Sequence, residues 1–300
     1  MRRPLAPDSL FPADVPDITT RFISLATGIR MRVAEHVQRD GGGEGGEQLP
    51  AVVMLHGWGG SLYMFRHALD LLPSYGLRPI AVDLRGYGLS DKPVARDSYS
   101  LNSYCADIDA LLDALSVTRI TLVGQSMGGG LALRYALRRP ERISKLVLIN
   151  PTGLVPLKFL KFLVRPPRTM LKAIGGRLVP RWLVGVILRR LAYGNASLVS
   201  ERDVDEYWAP TQLPGFTHAV SAAIREFDWR PLSAAEAASL AVPSVVILGS
   251  RDRLVRNTRE SAERLRGSRV YSMDGGHCVH EEHPREACEI IGRFACESAR

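Results

Sequence analysis

The stretch Ile120-Thr-Leu-Val-Gly-Gln-Ser-Met-Gly-Gly-Gly130 decides how the chain folds. Ile120–Val123 reads as a short buried strand, and Gly129–Arg138 as the helix that follows. Between them, Gly124-Gln125-Ser126-Met127-Gly128 forms a G-x-S-x-G motif, and the strand–turn–helix context is what gives that motif meaning. Glycine, with no Cβ, lets the backbone take a tight, strained turn, which lifts the Ser126 hydroxyl out at the carboxyl end of the strand. The helix N-terminus behind it offers free N–H groups and a positive dipole end to a developing oxyanion.

The same texture extends in both directions. Wholly apolar runs recur at 51–55 (AVVML), 79–82 (PIAV), 145–149 (KLVLI) and 244–248 (SVVIL), with 269–273 (RVYSM) a weaker last member. Such runs, interleaved with amphipathic helices expected near 62–72, 101–115, 127–138, 257–265 and 285–297, predict a mostly parallel sheet covered on both faces. Upstream, Arg21–Ala26 and Ile29–Val37 around Thr27-Gly28 predict a β-hairpin, and GGGEGGE (41–47) a surface loop. Residues 1–19 read as an extended lead-in. More than ninety residues without a strand pattern separate Ile149 from Ser244. They predict short helices near 157–165, 168–174, 181–192, after Ser200, and over 215–227. The expected organisation is a first core part (20–150), an all-helical cap (151–232) and a second core part (233–300).

With 300 residues, 46% hydrophobic and 23% charged, the chain has an ordinary globular composition, which excludes a mainly disordered protein. No window reaches the roughly 18–20 apolar residues of a spanning helix. Met1-Arg2-Arg3 is followed by Pro4, Pro7 and Asp8 rather than by a signal-peptide apolar region, so a cytoplasmic protein is expected. Cys105, Cys278, Cys288 and Cys296 show no framework spacing and read as reduced thiols. The net charge of +8 is local. Residues 151–200 hold nine Lys and Arg and no Asp or Glu, whereas the other 250 positions hold 30 basic and 31 acidic residues. The favoured reading is a solvated outer face of the cap; the sharper one is a peripheral contact with anionic membrane or steering of acidic substrates. No motif or basic–aromatic alternation supports a nucleic-acid partner. Nothing indicates an oligomeric state.

A nucleophilic serine needs a base and an electrophilic pocket. His56-Gly57-Trp58-Gly59-Gly60 follows the run at 51–55, so its amides are expected at the same sheet edge as Ser126. The N–H groups of Trp58 and Met127 are the candidate oxyanion donors. His56 reads as a hydrogen-bonding residue that pins this loop. Asp252, just past the run at 244–248, is the candidate acid; Asn150, at the end of the preceding strand, cannot serve as one. His277, on the loop after the last strand, is the candidate base, and the order Ser126, Asp252, His277 suits a nucleophile on this kind of turn. The spacing of His277, His280 and His283 does not match a zinc site, so no metal and no organic cofactor are expected. Gly57, Gln125, Phe159, Trp182, Trp208, His218 and Cys278 are candidates for the substrate pocket.

Five motifs in order, HGWGG (56–60), DLRGYGLSDKP (83–93), GQSMGG (124–129), GSRD (249–252) and GHCVHEEHP (276–284), resemble the serine-nucleophile α/β-hydrolase superfamily with a helical cap. The resemblance implies an α/β-hydrolase fold with a central sheet of about eight strands, structural roles for Arg85 and Asp91, and a Glu282-x-Pro284 opening of the final helix. It implies an acyl hydrolase acting on a small ester or acyl substrate, and the aromatic and aliphatic residues of the cap, Phe159, Trp182 and Trp208 among them, suggest one of apolar or aromatic character. Ser126 stands where dehalogenase-like and epoxide-hydrolase-like relatives carry an aspartate, so neither activity is expected. Two alternatives stay open: a C–C bond hydrolase of ring-cleavage products, although Gln125 and Cys278 depart from its usual asparagine and tryptophan, and a ligand receptor or scaffold on the same fold.

Overall fold

A computed structural model describes residues 3–13, 15–37, 49–157, 179–256 and 258–298. The apolar runs become β3 (Ala51–Leu55), β4 (Arg78–Val82), β5 (Ile120–Gln125), β6 (Ile143–Ile149), β7 (Ser244–Gly249) and β8 (Ser268–Met273), and the hairpin becomes β1 (Ile18–Ser24) and β2 (Arg30–His36). Among the described residues they form one eight-stranded sheet in the order β1-β2-β4-β3-β5-β6-β7-β8. The hairpin and the β2–β4 pair are antiparallel, and the strands from β4 to β8 pair in parallel.

Covering both faces explains the unbroken apolar runs. Val53 and Leu55 pack into one core with Leu111, Leu112, Leu131 and Tyr135 from α2 (Leu101–Ala114) and α3 (Met127–Arg138). Their neighbours Val52 and Met54 point the other way, into a core with Phe65, Leu69, Ile291 and Phe294, the last three from α1 (Arg66–Leu71) and the C-terminal helix Pro284–Cys296. The edge strand β8 alternates: Arg269 and Tyr271 are exposed, and Val270 between them packs against the first core. A parallel sheet puts the carboxyl ends of β3, β5, β6, β7 and β8 along one edge, so the loops at His56, Ser126, Asn150, Asp252 and His277 converge there.

Between β6 and β7 the described chain is helical. α4 (Arg181–Ile187) runs on into a wider π-type turn over Leu188–Ala192. It is followed by α5 (Glu201–Trp208) and α6 (Phe216–Glu226). Ser200 caps α5 through a reciprocal box with Asp203, satisfying two backbone donors. A capped helix α7 (Ala234–Ala238), absent from the sequence expectation, follows with Ser233 and Glu236 in the same arrangement. The lead-in is not simply extended: it makes a helical turn at Pro7–Ser9 and buries Leu10 and Phe11. The Phe11 N–H donates to Glu206 of α5 at 2.9 Å, and Arg202 donates to the Ser9 carbonyl at 2.9 Å, so this segment straps α5 to the core.

Of the nine cations in 151–200, Arg181 pairs with Asp205 and Glu201, and Arg189 with Glu201. Lys158, Lys161, Arg165, Arg168, Lys172 and Arg177, like the helices expected near 157–165 and 168–174, fall wholly or almost wholly outside the described residues. No helix among the described residues is long and apolar enough to cross a membrane.

Candidate active site

Ser126 sits between β5 and α3 with φ 52° and ψ −115°, a left-handed conformation that strains an L residue by about 1–3 kcal/mol. The neighbouring glycines are required by contact. A Cβ on Gly128 would lie 2.6 Å from the His56 carbonyl oxygen, and one on Gly124 would lie 2.6 Å from the Gly128 carbonyl carbon. The turn is held by the Ser126 N–H, which donates to Ile149 O at 3.0 Å, and by Thr152, whose N–H and hydroxyl donate to Ser126 O at 3.0 and 3.2 Å.

Gly57 passes so close to this turn that a Cβ on it would meet Ser126 Cβ at 3.0 Å. That brings the next amide, Trp58 N–H, to the neighbourhood of Ser126. Met127 is the first residue of α3, so its N–H is a helix-terminal donor with no intrahelical acceptor. His56 pins the loop as expected: Nδ1 bonds Gly57 O at 2.8 Å and Nε2 accepts Leu84 N–H at 3.0 Å. Complete burial holds its pKa below the ordinary histidine value, and this neutral form is what its acceptor Nε2 requires.

Asp252 and His277 come together across 25 residues of sequence, with Asp252 Oδ2 2.8 Å from His277 Nδ1 and both side chains nearly buried (4% and 8% exposed). A carboxylate only accepts, so Nδ1 is the protonated nitrogen and Nε2 is left as the basic one. The Leu254 and Val255 N–H groups donate to Asp252 Oδ1 at 2.7 and 3.1 Å and fix the carboxylate plane.

Several side chains do other work than expected. Gln125, taken for a pocket residue, is wholly buried behind Ser126 and donates from Nε2 to His277 O at 3.1 Å; alternation along β5 turns its side chain inward. Trp182 is 68% exposed, because Val184, Gly185, Leu188 and Ala192 form the buried side of its helix and 182 lies opposite. Trp208 is buried and donates to Val179 O at 2.7 Å, tying α5 to the start of α4. Cys278 is packed in the core, where burial raises its thiol pKa, and its N–H donates to Ala192 O at 2.9 Å. His218 is an exposed residue of α6 with its ring 6.3 Å from that of Tyr99. The Trp58 indole donates to Val220 O of α6 at 3.0 Å. Phe159 lies outside the described residues. His280 and His283 have other partners: His280 is buried beside Phe65, and His283 bonds Asp274 O at 2.9 Å. Arg85 and Asp91 act structurally. Arg85 holds Asp107 through two 2.6 Å bonds, and Asp91 accepts Arg30 N–H at 2.8 Å.

Two residues carry more than sequence reasoning found. Asn150 donates from Nδ2 to Gly276 O and His277 O, each at 3.0 Å, and accepts Gly249 N–H at 2.9 Å. Its φ of 40° lies in the left-handed region, which asparagine tolerates better than most residues, and an asparagine directly after the apolar run 145–149 was the signal in the sequence. Glu282, expected only to open the last helix, reaches back to Gly276 N at 2.5 Å. Nothing in its local pattern announces that.

Residues 50–284 match the profile of the alpha/beta hydrolase fold family. The chain is 28% identical over 322 aligned positions to epoxide hydrolase A of Mycobacterium tuberculosis, covering 92% of this chain and 97% of that protein. It superposes on an esterase from Exiguobacterium antarcticum with a TM-score of 0.71 at 24% identity, covering 93% of this chain and all (100%) of that one. A meta-cleavage product hydrolase from Pseudomonas fluorescens gives a TM-score of 0.73 at 24% identity, covering 91% and 96%. At these identities the two structural matches show a shared fold.

Proposed function

The chain belongs to the α/β-hydrolase fold family, a family of hydrolases, and from that premise we propose that it is a serine hydrolase of carboxylic esters or related acyl compounds. The observation that carries this reading is the 2.8 Å bond from His277 Nδ1 to Asp252, on loops of the sheet edge that also bears the strained Ser126 turn. His277 Nε2 takes the Ser126 proton as Oγ attacks the acyl carbon. The tetrahedral oxyanion accepts the Trp58 and Met127 N–H groups, and His277 then returns the proton to the leaving alcohol. Water, deprotonated by His277, releases the acyl group from Ser126. The aromatic residues expected to define an apolar substrate lend it no support, since Trp182 faces out and Trp208 is committed to Val179. The reading is therefore of an ester hydrolase without a specified acyl group.

The likeness to an epoxide hydrolase favours a second reading, which the identity of residue 126 opposes. A carboxylate that opens an epoxide leaves an ester that water can cleave. A serine that did so would be left as an ether, which the same machinery cannot release. The experiment is a fluorophosphonate probe, together with panels of p-nitrophenyl esters, lactones, epoxides and C–C ring-cleavage products, on wild type and Ser126→Ala. Labelling at Ser126 and ester turnover lost in the variant are expected. Epoxide turnover that survived in Ser126→Ala would overturn the serine mechanism. A folded protein that ignored the probe and every substrate would point instead to a ligand-binding role.

A further inference from the structure

Glu282 ends the short helix α8 (Val279–Glu282), five residues past the candidate base, and is nearly buried. Its carboxylate takes backbone N–H groups from two separate parts of the chain. Gly276 N–H donates to Oε1 at 2.5 Å, from the residue before His277. Gly194 N–H reaches both oxygens at 3.0 Å, and Asn195 N–H donates to Oε2 at 2.8 Å, both from the segment that follows the α4 turn. A buried carboxylate held by charge-assisted bonds to backbone N–H groups is strongly oriented, and here it fastens two loops to each other.

The two loops also meet backbone to backbone. Cys278 N–H donates to Ala192 O at 2.9 Å. A Cβ on Gly194 would lie 2.7 Å from Gly276 N, and one on Gly276 would lie 2.6 Å from Ala192 O, so each glycine is needed for the approach. A second tie runs beneath the seam. Tyr207 of α5 donates to Glu281 at 2.6 Å, and Glu281 pairs with Arg66, which also holds Asp203 of α5 at 3.0 Å.

We propose that Glu282 is a positioning residue for His277, and that through it the segment Ala192–Asn195 of the helical insertion holds the histidine loop in its working place. His277 is then correctly set against Asp252 only while that segment is seated, which makes the helical insertion part of the assembly of the catalytic group as well as its cover. The proposal rests on the reading of His277 as the base.

The test measures three things on wild type, Glu282→Gln, Glu282→Asp and Gly194→Ala, well below their melting temperatures. They are the rate of fluorophosphonate labelling at Ser126, the far-downfield proton resonance of His277 Nδ1–H, and kcat against KM on an ester. In Glu282→Gln an amide NH₂ faces the donors that the carboxylate accepted. Labelling is expected to slow about 10- to 100-fold, with kcat lowered more than KM is changed and the downfield resonance broadened or lost. Glu282→Asp, which keeps the charge on a shorter stem, should recover part of the rate. Gly194→Ala, which touches neither Ser126 nor Asp252, should slow labelling as well. A residue that only stabilised the fold would lower the melting temperature and leave the other readouts at wild-type values. That outcome in a folded Glu282→Gln, or in Glu282→Asp if the amide variant does not fold, overturns the proposal. Wild-type labelling in Gly194→Ala overturns its coupling to the helical segment. The reading of His277 fails separately: a wild type that shows the resonance but never reacts with the probe would sink that reading alone.

Discussion

The side-chain amide of Asn150 donates to the carbonyl oxygen of His277 at 3.0 Å, while its own carbonyl accepts Gly249 N–H at 2.9 Å. One residue at the end of β6 thus ties the strand that precedes the candidate acid to the loop that carries the candidate base. Asn150→Asp keeps the acceptor for Gly249 but turns a carboxylate oxygen onto two carbonyl oxygens. Chemical denaturation should show a loss of about 1–3 kcal/mol, and ester kcat should fall about a hundredfold.

Replacing Asp252 by Asn leaves the shape of the site and removes the acceptor that sets the His277 tautomer. Ester turnover in Asp252→Asn should drop about 10⁴-fold with little change in melting temperature. Turnover within tenfold of wild type would send the search for the acid elsewhere.

Burial depresses the pKa of His280 to about 3, with Arg66 and His277 adding to the effect. The folded protein keeps this ring neutral as pH falls, whereas the unfolded chain takes up the proton below about pH 6.5. Its contribution to stability is therefore fully present above about pH 6.5 and is lost progressively as pH falls towards 3. By pH 5 the loss from this residue comes to about 2 kcal/mol. His280→Leu should flatten the decline in unfolding free energy between pH 7 and 5 by about that amount. Some slope will remain, since burial lowers the pKa of His56 and His67 as well.

Arg66 is nearly buried among Asp203 and Glu281, and its guanidinium lies 4.2 Å from the centre of the Tyr63 ring. Arg66→Met leaves two buried carboxylates without their cation and should cost about 3–5 kcal/mol in urea unfolding at pH 7. Arg66→Met combined with Glu281→Gln should recover part of that loss. Strict additivity of the two substitutions would show that the groups are not coupled.

Sequence reading succeeded where structure is local. The Ser126 turn, the hairpin and the Ser200 cap each depend on residues within a few positions of one another, so spacing alone reveals them. Extended buried runs likewise announce strands, because a parallel sheet with both faces covered leaves little room for polar residues. The reading lost accuracy where one helical step decides a direction. Trp182 and Val184 are two residues apart, yet one faces out and the other in, and composition carries no record of which neighbour the helix meets. It also lost the long-range polar partners, since a buried amide such as Gln125 looks the same in sequence whether it lines a pocket or grips a backbone.

The sequence by itself therefore determined the strand–turn–helix that carries Ser126, the family resemblance, and the order of the candidate serine, acid and histidine. These follow from steric demands between adjacent residues and from motifs a few residues long. Only the tertiary structure decided what holds His277. The groups that grip its loop come from 125, 150 and 282, and the segment pressed against it comes from 192–195. Hydrogen bonds are formed by whatever the fold brings within about 3 Å, and proximity across more than a hundred residues is a property of the assembled sheet edge rather than of any stretch of chain.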